Sequence, residues 1–153
     1  MLLVRSLVLL IAVSLALGEV VNFKPCKGST SNCVIHEVRI DPCAEAAENK
    51  ACRIKRRKPA SISFDFTPGF DSETSTSSVY WAREDADVEL EDIDHNSCNY
   101  SACPLKRDQK NTLNFELPIR SKFPLNDYEI KWRLKGAAPG DECCLTTSIK
   151  IVR

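Results

Sequence analysis

The chain has few of the residues on which enzyme active sites usually depend. Its 153 residues include only two histidines and five glycines. His36 lies in an alternating apolar and polar segment, and His95 lies in a turn beside Asp94, with no serine or cysteine nucleophile motif nearby. The glycines other than Gly18 fall in or near turns, which leaves no glycine-rich loop to bind phosphate. We therefore predict that the chain is not an enzyme and uses no cofactor.

The chain also lacks an excess of charge of either sign. It has 21 lysines and arginines against 21 aspartates and glutamates. A nucleic-acid-binding protein normally carries a clear basic excess, so nucleic acid is not expected as a partner. The charges are nevertheless uneven, because residues 50–58 hold six basic side chains while 71–94 is mostly acidic. These are either two solvated surface regions or a docking patch for an acidic partner or an anionic membrane.

No second hydrophobic run follows the first 18 residues. Those residues carry a positive charge at Arg5, an apolar stretch from Leu7 to Leu17, and small residues before Glu19. The pattern predicts a signal peptide at 1–18 and leaves 19–153 as one soluble, exported domain. The alternative is a retained membrane anchor. It is disfavoured because the apolar stretch is shorter than the roughly 20 residues that a spanning helix needs.

Hydrophobic residues of the remaining chain recur at every second position, which is the period of a half-buried β-strand. This alternation predicts strands at 34–40, 61–66, 87–91, 112–117, 128–134 and 145–151, with a less regular strand at 79–82. In the first strand, the pattern predicts that four residues share the buried face, namely Val34, His36, Val38 and Ile40. About seven short strands separated by turns predict an all-β fold, an immunoglobulin-like β-sandwich of two antiparallel sheets.

Eight cysteines lie along the exported domain, at Cys26, Cys33, Cys43, Cys52, Cys98, Cys103, Cys143 and Cys144. In an exported chain an even number of cysteines indicates disulfide bonds. Cys43 and Cys52 flank a connection between two predicted strands, and Cys98 and Cys103 enclose a four-residue loop. Cys143 and Cys144 are adjacent on a strand and face opposite ways, so each needs its own partner from Cys26 and Cys33. A zinc site requires paired short spacings, and no metal is expected.

Several segments of the domain carry a family resemblance. Residues 21–26 (Val-Asn-Phe-Lys-Pro-Cys), with parts of 34–43, are similar to the start of Niemann–Pick type C2 proteins. Residues 98–105 (Cys-Asn-Tyr-Ser-Ala-Cys-Pro-Leu) resemble their central loop and that of mite group 2 allergens. Residues 117–124 (Leu-Pro-Ile-Arg-Ser-Lys-Phe-Pro), followed by Trp132, resemble the next block of the sterol carriers. In this order the segments resemble the MD-2-related lipid-recognition (ML) family.

The resemblance implies a two-sheet sandwich that is splayed open at one edge and holds a lipid tail or a sterol in a hydrophobic cavity. It also implies disulfides, which join Cys43–Cys52, Cys98–Cys103, Cys26–Cys144 and, by exclusion, Cys33–Cys143. The last of these bridges goes beyond the three that are usual in the family.

The sterol pocket of the family maps onto apolar residues of this chain. Carried over position by position, its contacts correspond to Leu90, Ile119 and Phe123. Further candidates for the pocket wall are Val88, Phe64, Phe66, Leu113, Phe115 and Trp132. The alternative for the last five is ordinary sandwich core. The Pro-rich strand of the mammalian carriers is replaced here by the acidic segment 87–92, which changes the rim of the pocket.

These residues predict that the protein binds a hydrophobic ligand without catalysing a reaction. The expected ligand is a sterol, a fatty acid or another lipid, held by a monomer that is secreted or delivered to the lysosomal lumen. Contact with a membrane, a receptor or a transporter is expected at transfer. A second hypothesis is lipid recognition through a receptor in innate immunity or chemical communication, and a third is a structural protein without a ligand. Asn99-Tyr100-Ser101 is an N-glycosylation sequon, so glycosylation is predicted at Asn99.

Overall fold

The computed structural model describes residues 18–29 and 31–153. The predicted leader, 1–18, therefore lies outside the described residues except at Gly18. The described chain forms ten strands. They are β1 (Glu19–Val21), β2 (Lys24–Pro25), β3 (Cys33–Asp41), β4 (Cys52–Lys55), β5 (Pro59–Pro68), β6 (Thr76–Ala82), β7 (Val88–Glu89), β8 (Asn111–Pro118), β9 (Asp127–Lys135) and β10 (Glu142–Val152). Two short 3-10 helices complete the fold, Ala44–Glu48 and Ser97–Asn99.

The strands form two sheets that pack face to face. Sheet A has the order β1-β3-β5-β8, and sheet B has the order β2-β10-β9-β6-β7. β4 joins sheet B as a parallel neighbour of β10, whereas the other pairs are antiparallel. This arrangement confirms the predicted all-β sandwich. No helix among the described residues is long and apolar enough to cross a membrane.

Alternation along the long strands builds the core between the sheets. On β5 the even-numbered residues Ile62, Phe64 and Phe66 are buried, and on β9 Ile130 and Trp132 are buried in the same way. The Phe64 and Trp132 rings meet edge to face across the two sheets, with centroids 5.8 Å apart. Each such ring removes a large apolar area from water, which is the main stabilising contribution in a sandwich of this size.

The first half of β3 departs from the predicted alternation. The register with β5 shifts between Ile35 and Glu37, which leaves His36 as the extra residue of a β-bulge. Ile35, opposite Phe66, therefore packs against the core, while Val34 is 57% exposed. The prediction that Val34 and His36 share the buried face was wrong, because a bulge reverses the facing of every residue on one side of it.

Four disulfides hold the sandwich together, and they join the cysteines in the pairs named above. The adjacent cysteines of β10 do face opposite ways. Cys143 bonds to Cys33 on sheet A, whereas Cys144 bonds to Cys26, just beyond β2. The pair Cys43–Cys52 links the end of β3 to the start of β4. Two of the bridges, Cys33–Cys143 and Cys43–Cys52, therefore fasten sheet A to sheet B along the edge formed by β1, β2 and β4.

Candidate functional site

A cleft of about 330 Å³ opens at the opposite edge of the sandwich. One lip is 88–92, which contains β7, and the other is 119–126, which joins β8 to β9. The apolar residues lining the cleft are Trp81, Val88, Leu90, Phe123 and Tyr128, and its rim carries Glu89, Glu91 and Lys122. An apolar interior with a charged rim is suited to a hydrophobic ligand that enters from water or from a membrane.

Local pairing positions the first lip. β7 pairs with β6, which places Val88 opposite Trp81. One residue after β7, the Leu90 N–H donates to the Val79 carbonyl at 2.8 Å, and this bond turns the Leu90 side chain into the molecule. Leu90 is only 7% exposed, although the residues on either side of it are exposed and acidic.

Aromatic packing positions the second lip. Tyr128 begins the inner face of β9, and its hydroxyl donates to the Pro124 carbonyl at 2.8 Å. Its ring lies 4.7 Å from that of Trp81 and 6.4 Å from that of Phe123, measured between centroids. Burial raises the pKa of the Tyr128 phenol, so the ring stays neutral and keeps its proton for that bond. Three aromatic rings therefore line the cleft and hold the loop against the sheet.

Two ion pairs join the lips across the mouth of the cleft. Lys122 on the second lip pairs with Glu91 on the first, and Arg120 pairs with Asp92 at 2.8 Å. The hydrogen bond and charge of Lys122 lower the pKa of the Glu91 carboxyl, so this carboxylate remains ionised in mildly acidic solution. All four side chains are about half exposed or more, so water and salt screen both pairs.

The rest of this edge is closed by residues 93–105. The His95 backbone carbonyl accepts a hydrogen bond from the Ser77 N–H of β6 at 2.9 Å. The Tyr100 backbone carbonyl accepts one from the Asn114 N–H of β8 at the same distance. This segment thus bridges sheet B to sheet A. The Tyr100 ring also packs on Phe115, with 4.8 Å between centroids. The edge therefore opens toward the core between 88–92 and 119–126.

The structure places the predicted pocket residues at three different depths. Val88, Leu90 and Phe123 lie together in the cleft, although Val88 is 43% exposed and stands at the mouth. Ile119 is buried beside a neighbouring groove rather than in the cleft. Phe64, Phe66, Leu113 and Trp132 lie deeper, in the core, and the partly buried Phe115 packs against them.

The deeper residues form a packed aromatic cluster. The rings of Phe64 and Phe66 are 5.6 Å apart, and those of Phe115 and Trp132 are 5.4 Å apart. Phe64, Phe66, Leu113 and Trp132 are at most 1% exposed, which is the packing of ordinary core. Their contact with a ligand stays a prediction, since it requires the two sheets to part.

The sequence reasoning missed two cleft residues, Trp81 and Tyr128. Both lie on strands that the alternation predicts, and Tyr128 falls on the inner face of its strand. The pattern identifies which face a residue takes but not which end of the sandwich is open. That information comes from the loop 119–126, whose path has no periodic signal.

The sequon residue Asn99 is exposed in the loop closed by Cys98–Cys103. Its Nδ2, the atom that a glycan would occupy, donates to Asp94 Oδ2 at 2.7 Å. Glycosylation at Asn99 stays a prediction. Among the residues that the structure describes, no three His, Cys, Asp or Glu side chains converge on a metal position.

Comparison with known proteins agrees with this geometry. The family model for the ML domain matches residues 20–151. The chain belongs to the ML-domain family. It is 33% identical over 144 residues to the MD-2-related lipid-recognition protein of Manduca sexta, covering 93% of this chain and 91% of that one. It is 24% identical over 150 residues to the NPC intracellular cholesterol transporter 2 of Mus musculus, covering 97% of each.

Solved structures give the same result for the fold. The crystal structure of a Niemann-Pick type C2 protein from Japanese carpenter ant superposes with a TM-score of 0.74 at 21% identity, covering 86% of this ML-domain chain and 99% of that one. The ML family comprises lipid-binding carriers and recognition proteins that perform no chemical reaction. The predicted family resemblance and the prediction that the chain is not an enzyme are therefore confirmed.

Proposed function

We propose that this ML-domain protein carries a sterol or another lipid between its two sheets and exchanges it through the cleft between 88–92 and 119–126. The observation that carries the proposal is the position of the cleft. It is apolar, and it lies at the edge that no cross-sheet disulfide fastens. The names of the moth and mouse relatives agree with a lipid ligand.

Transfer of the ligand from water into the opened cleft would supply the binding energy. As it stands, the cleft of about 330 Å³ is at the lower limit of ligand pockets. We expect separation of Leu90 from Phe123 to extend the cleft toward the Phe115 and Trp132 rings, which pack against each other with 5.4 Å between centroids. Each methylene of the ligand that leaves water there contributes about 0.8 kcal/mol. No chemical step is required.

The proposal includes export and a monomeric state. All eight cysteines are paired in four bridges, an arrangement that persists in oxidising compartments. We place the protein outside the cell or in the lysosomal lumen. The second candidate function is recognition of a lipid and its report to a receptor. It is favoured by the similarity to the moth lipid-recognition protein, and ligand-dependent binding to a receptor ectodomain would distinguish it.

Titration of the delipidated protein with dehydroergosterol, a fluorescent sterol, tests the proposed function. We expect saturable binding that Leu90→Asp abolishes, because the new carboxylate would lie against the aromatic rings of the cleft. Phe123→Asp serves as a second variant, since the partly exposed Phe123 tolerates a polar group with less risk to the fold. Circular dichroism shows whether each variant is folded.

Val34→Asp is the matched control for these variants. It introduces the same charge at an exposed apolar residue of β3, far from the cleft. We expect its affinity for the sterol to equal that of the unmodified protein. Absence of saturable binding to sterols and fatty acids alike, or equal binding by the folded Leu90 and Phe123 variants, would contradict the proposed site.

A further inference from the structure

The Cys26–Cys144 disulfide lines an open pocket on the outer face of sheet B. The pocket has a volume of about 220 Å³, and both cysteines of the bridge lie in its wall. Cys26 is partly exposed, although Cys144 is covered. In the two bridges that fasten the sheets, by contrast, Cys143, Cys43 and Cys52 are each at most 3% exposed. A small molecule in solution can therefore reach Cys26 without any opening of the sandwich.

Cations surround this bridge. The pocket is lined by one carboxylate, that of Glu142, and by three cations, namely Lys27, Lys131 and Arg133. Arg133 pairs with Glu142 at 2.7 Å, and Lys131 pairs with Asp87 at 2.6 Å. Among the residues that the structure describes, Lys27 has no ion pair, and its side chain is exposed. Positive charges outnumber negative ones even when Asp87 is counted, so the pocket attracts anions from solution.

Strand pairing places one of these cations beside Cys144. Cys144 on β10 and Arg133 on β9 are direct cross-strand partners, so their side chains project from the same face of the sheet. The Cβ atoms of such partners in antiparallel strands are about 4.5–5.5 Å apart. A thiolate on Cys144 would therefore form next to the Arg133 guanidinium. Positive charge at this distance stabilises a thiolate and makes it a better leaving group in thiol–disulfide exchange.

The fourth bridge, Cys98–Cys103, is partly exposed as well, but the charge beside it is negative. Asp94 accepts from the Asn96 N–H at 2.9 Å and from Asn99 Nδ2 of the bridged loop at 2.7 Å. Within the described part of the chain, Asp94 forms no ion pair with a lysine or an arginine. This bridge therefore offers no attraction to an anionic thiol and serves as an internal reference.

We propose that Cys26–Cys144 is a site of thiol–disulfide exchange with an anionic low-molecular-weight thiol such as glutathione. The thiolate attacks the Cys26 sulfur, and the bond between the two protein sulfurs breaks. A mixed disulfide forms at Cys26, while the electron pair leaves on the Cys144 sulfur, which Arg133 stabilises. A second thiolate attacks the glutathione sulfur of the mixed disulfide, which yields oxidised glutathione and the Cys26 thiolate. Two electrons thus pass from two glutathione molecules to the bridge, and the protons that these thiols release end on Cys26 and Cys144.

Exchange at this bridge would loosen β2 and leave the two sheets fastened. β2 pairs with β10 through only two residues, opposite Leu145 and Thr146. The bridge Cys33–Cys143 still joins β3 to β10, and it is protected because Cys143 is buried. The inference is independent of the proposed function, since neither the cleft nor a lipid takes part in the exchange.

Incubation of the oxidised protein with excess glutathione at neutral pH tests the proposal. Thiols are trapped at intervals with N-ethylmaleimide and located by peptide mass mapping. We expect label to appear first at Cys26 and Cys144, with glutathione attached to Cys26 at early times, while the other six cysteines stay paired. Absence of label at this bridge, earlier label at Cys98 and Cys103, or simultaneous label at all eight cysteines would overturn the proposal.

Comparison of glutathione with 2-mercaptoethanol, which is uncharged, measures the contribution of the cations. The exchange rate at Cys26–Cys144 is divided by the rate at Cys98–Cys103, because this ratio cancels the different reactivities of the two thiols. We expect the ratio to be larger with glutathione and to fall as salt rises. Lys27→Glu should lower the ratio for glutathione roughly two- to fivefold, the range of an exposed charge pair, and should change it little for 2-mercaptoethanol.

Lys58→Glu is the matched control for Lys27→Glu. It makes the same change of charge at an exposed lysine of the turn after β4, the strand that pairs with the opposite end of β10. We expect both ratios to equal those of the unmodified protein. Equal effects of the two substitutions, or a ratio in the unmodified protein that is the same for both thiols, would overturn the preference for an anionic thiol.

Discussion

At the scale of single residues, Asp65 joins three strands of the outer face of sheet A. Its carboxylate accepts from the Arg39 guanidinium at 2.8 Å and from the Thr112 hydroxyl at 2.8 Å, and it pairs with Lys110 at 3.1 Å. Arg39 is the main reason that the pKa of the Asp65 carboxyl lies far below its usual range. Arg39 also pairs with Glu37 on its own strand. This network fastens β3, β5 and β8 together.

Asp65→Asn should lower the free energy of unfolding by about 2 kcal/mol at neutral pH, because Arg39 loses a charged partner at a site little exposed to water. The pKa of Asp65 is lower in the folded than in the unfolded state. Its contribution is therefore complete above about pH 4 and is lost as pH falls toward the folded value. Urea unfolding at a series of pH values should show that the free energies of unfolding of Asp65→Asn and of the unmodified protein converge in strong acid.

Glu116→Gln is the control for this prediction, since the exposed Glu116 lies on the same outer face without an ion pair in the described structure. It should leave stability nearly unchanged. Equal stabilities of Asp65→Asn and the unmodified protein at neutral pH would show that the network contributes nothing.

At the scale of elements, the two lips are separate units joined by charge. Lys122→Glu places like charges opposite each other at Glu91 and should accelerate release of a bound fluorescent lipid roughly two- to fivefold, as expected for an exposed ion pair. Glu91→Lys combined with Lys122→Glu restores the attraction and should restore the rate. Stopped-flow measurements of lipid release would give both values. A rate unchanged by the single substitution would mean that the pair does not restrain the lips.

The long elements could be predicted from sequence, and the short ones could not. The six strands of seven or more residues, β3, β5, β6, β8, β9 and β10, show enough alternation to be recognised, whereas of the strand predicted at 87–91 only the two residues of β7 form. β1, β2 and β4 have three, two and four residues, too few to establish a period. They exist because β3 and β10 offer them unpaired edges. The cleft could not be predicted for a related reason. Its two lips, 88–92 and 119–126, are distant along the sequence and are brought together only by the fold.

At the scale of the whole molecule, the cross-sheet disulfides and the cleft lie at opposite edges. Cross-sheet disulfides hold the edge formed by β1, β2 and β4, while noncovalent contacts and ion pairs hold the edge where the cleft lies. We therefore expect the proposed opening to occur between the lips, where no disulfide joins the two sheets. The fold and the pairing of the cysteines could be predicted from the sequence and the family resemblance. The placement of the cross-sheet disulfides and the cleft at opposite edges could not, because it depends on the order of the strands in the two sheets.

The two long-range disulfides should protect the fold redundantly. Cys26–Cys144 and Cys33–Cys143 span 118 and 110 residues, yet their ends lie only seven residues and one residue apart along the chain. While one bridge is present, the other closes a ring of only about eight residues, which is worth about 2.5 kcal/mol in the chain-entropy account.

Replacing either pair by alanine should therefore lower the free energy of unfolding by about 2.5 kcal/mol, whereas replacing both should cost about 7 kcal/mol because the long loop is then released as well. Guanidinium unfolding of the two double variants and the quadruple variant measures these values. Losses of about 5 kcal/mol from each pair alone would contradict the redundancy. The expected pattern instead means that the bridge Cys33–Cys143 chiefly fixes β3 against β10. It thereby confines opening to the far edge, where the lips of the cleft can part while the ends of the chain stay joined.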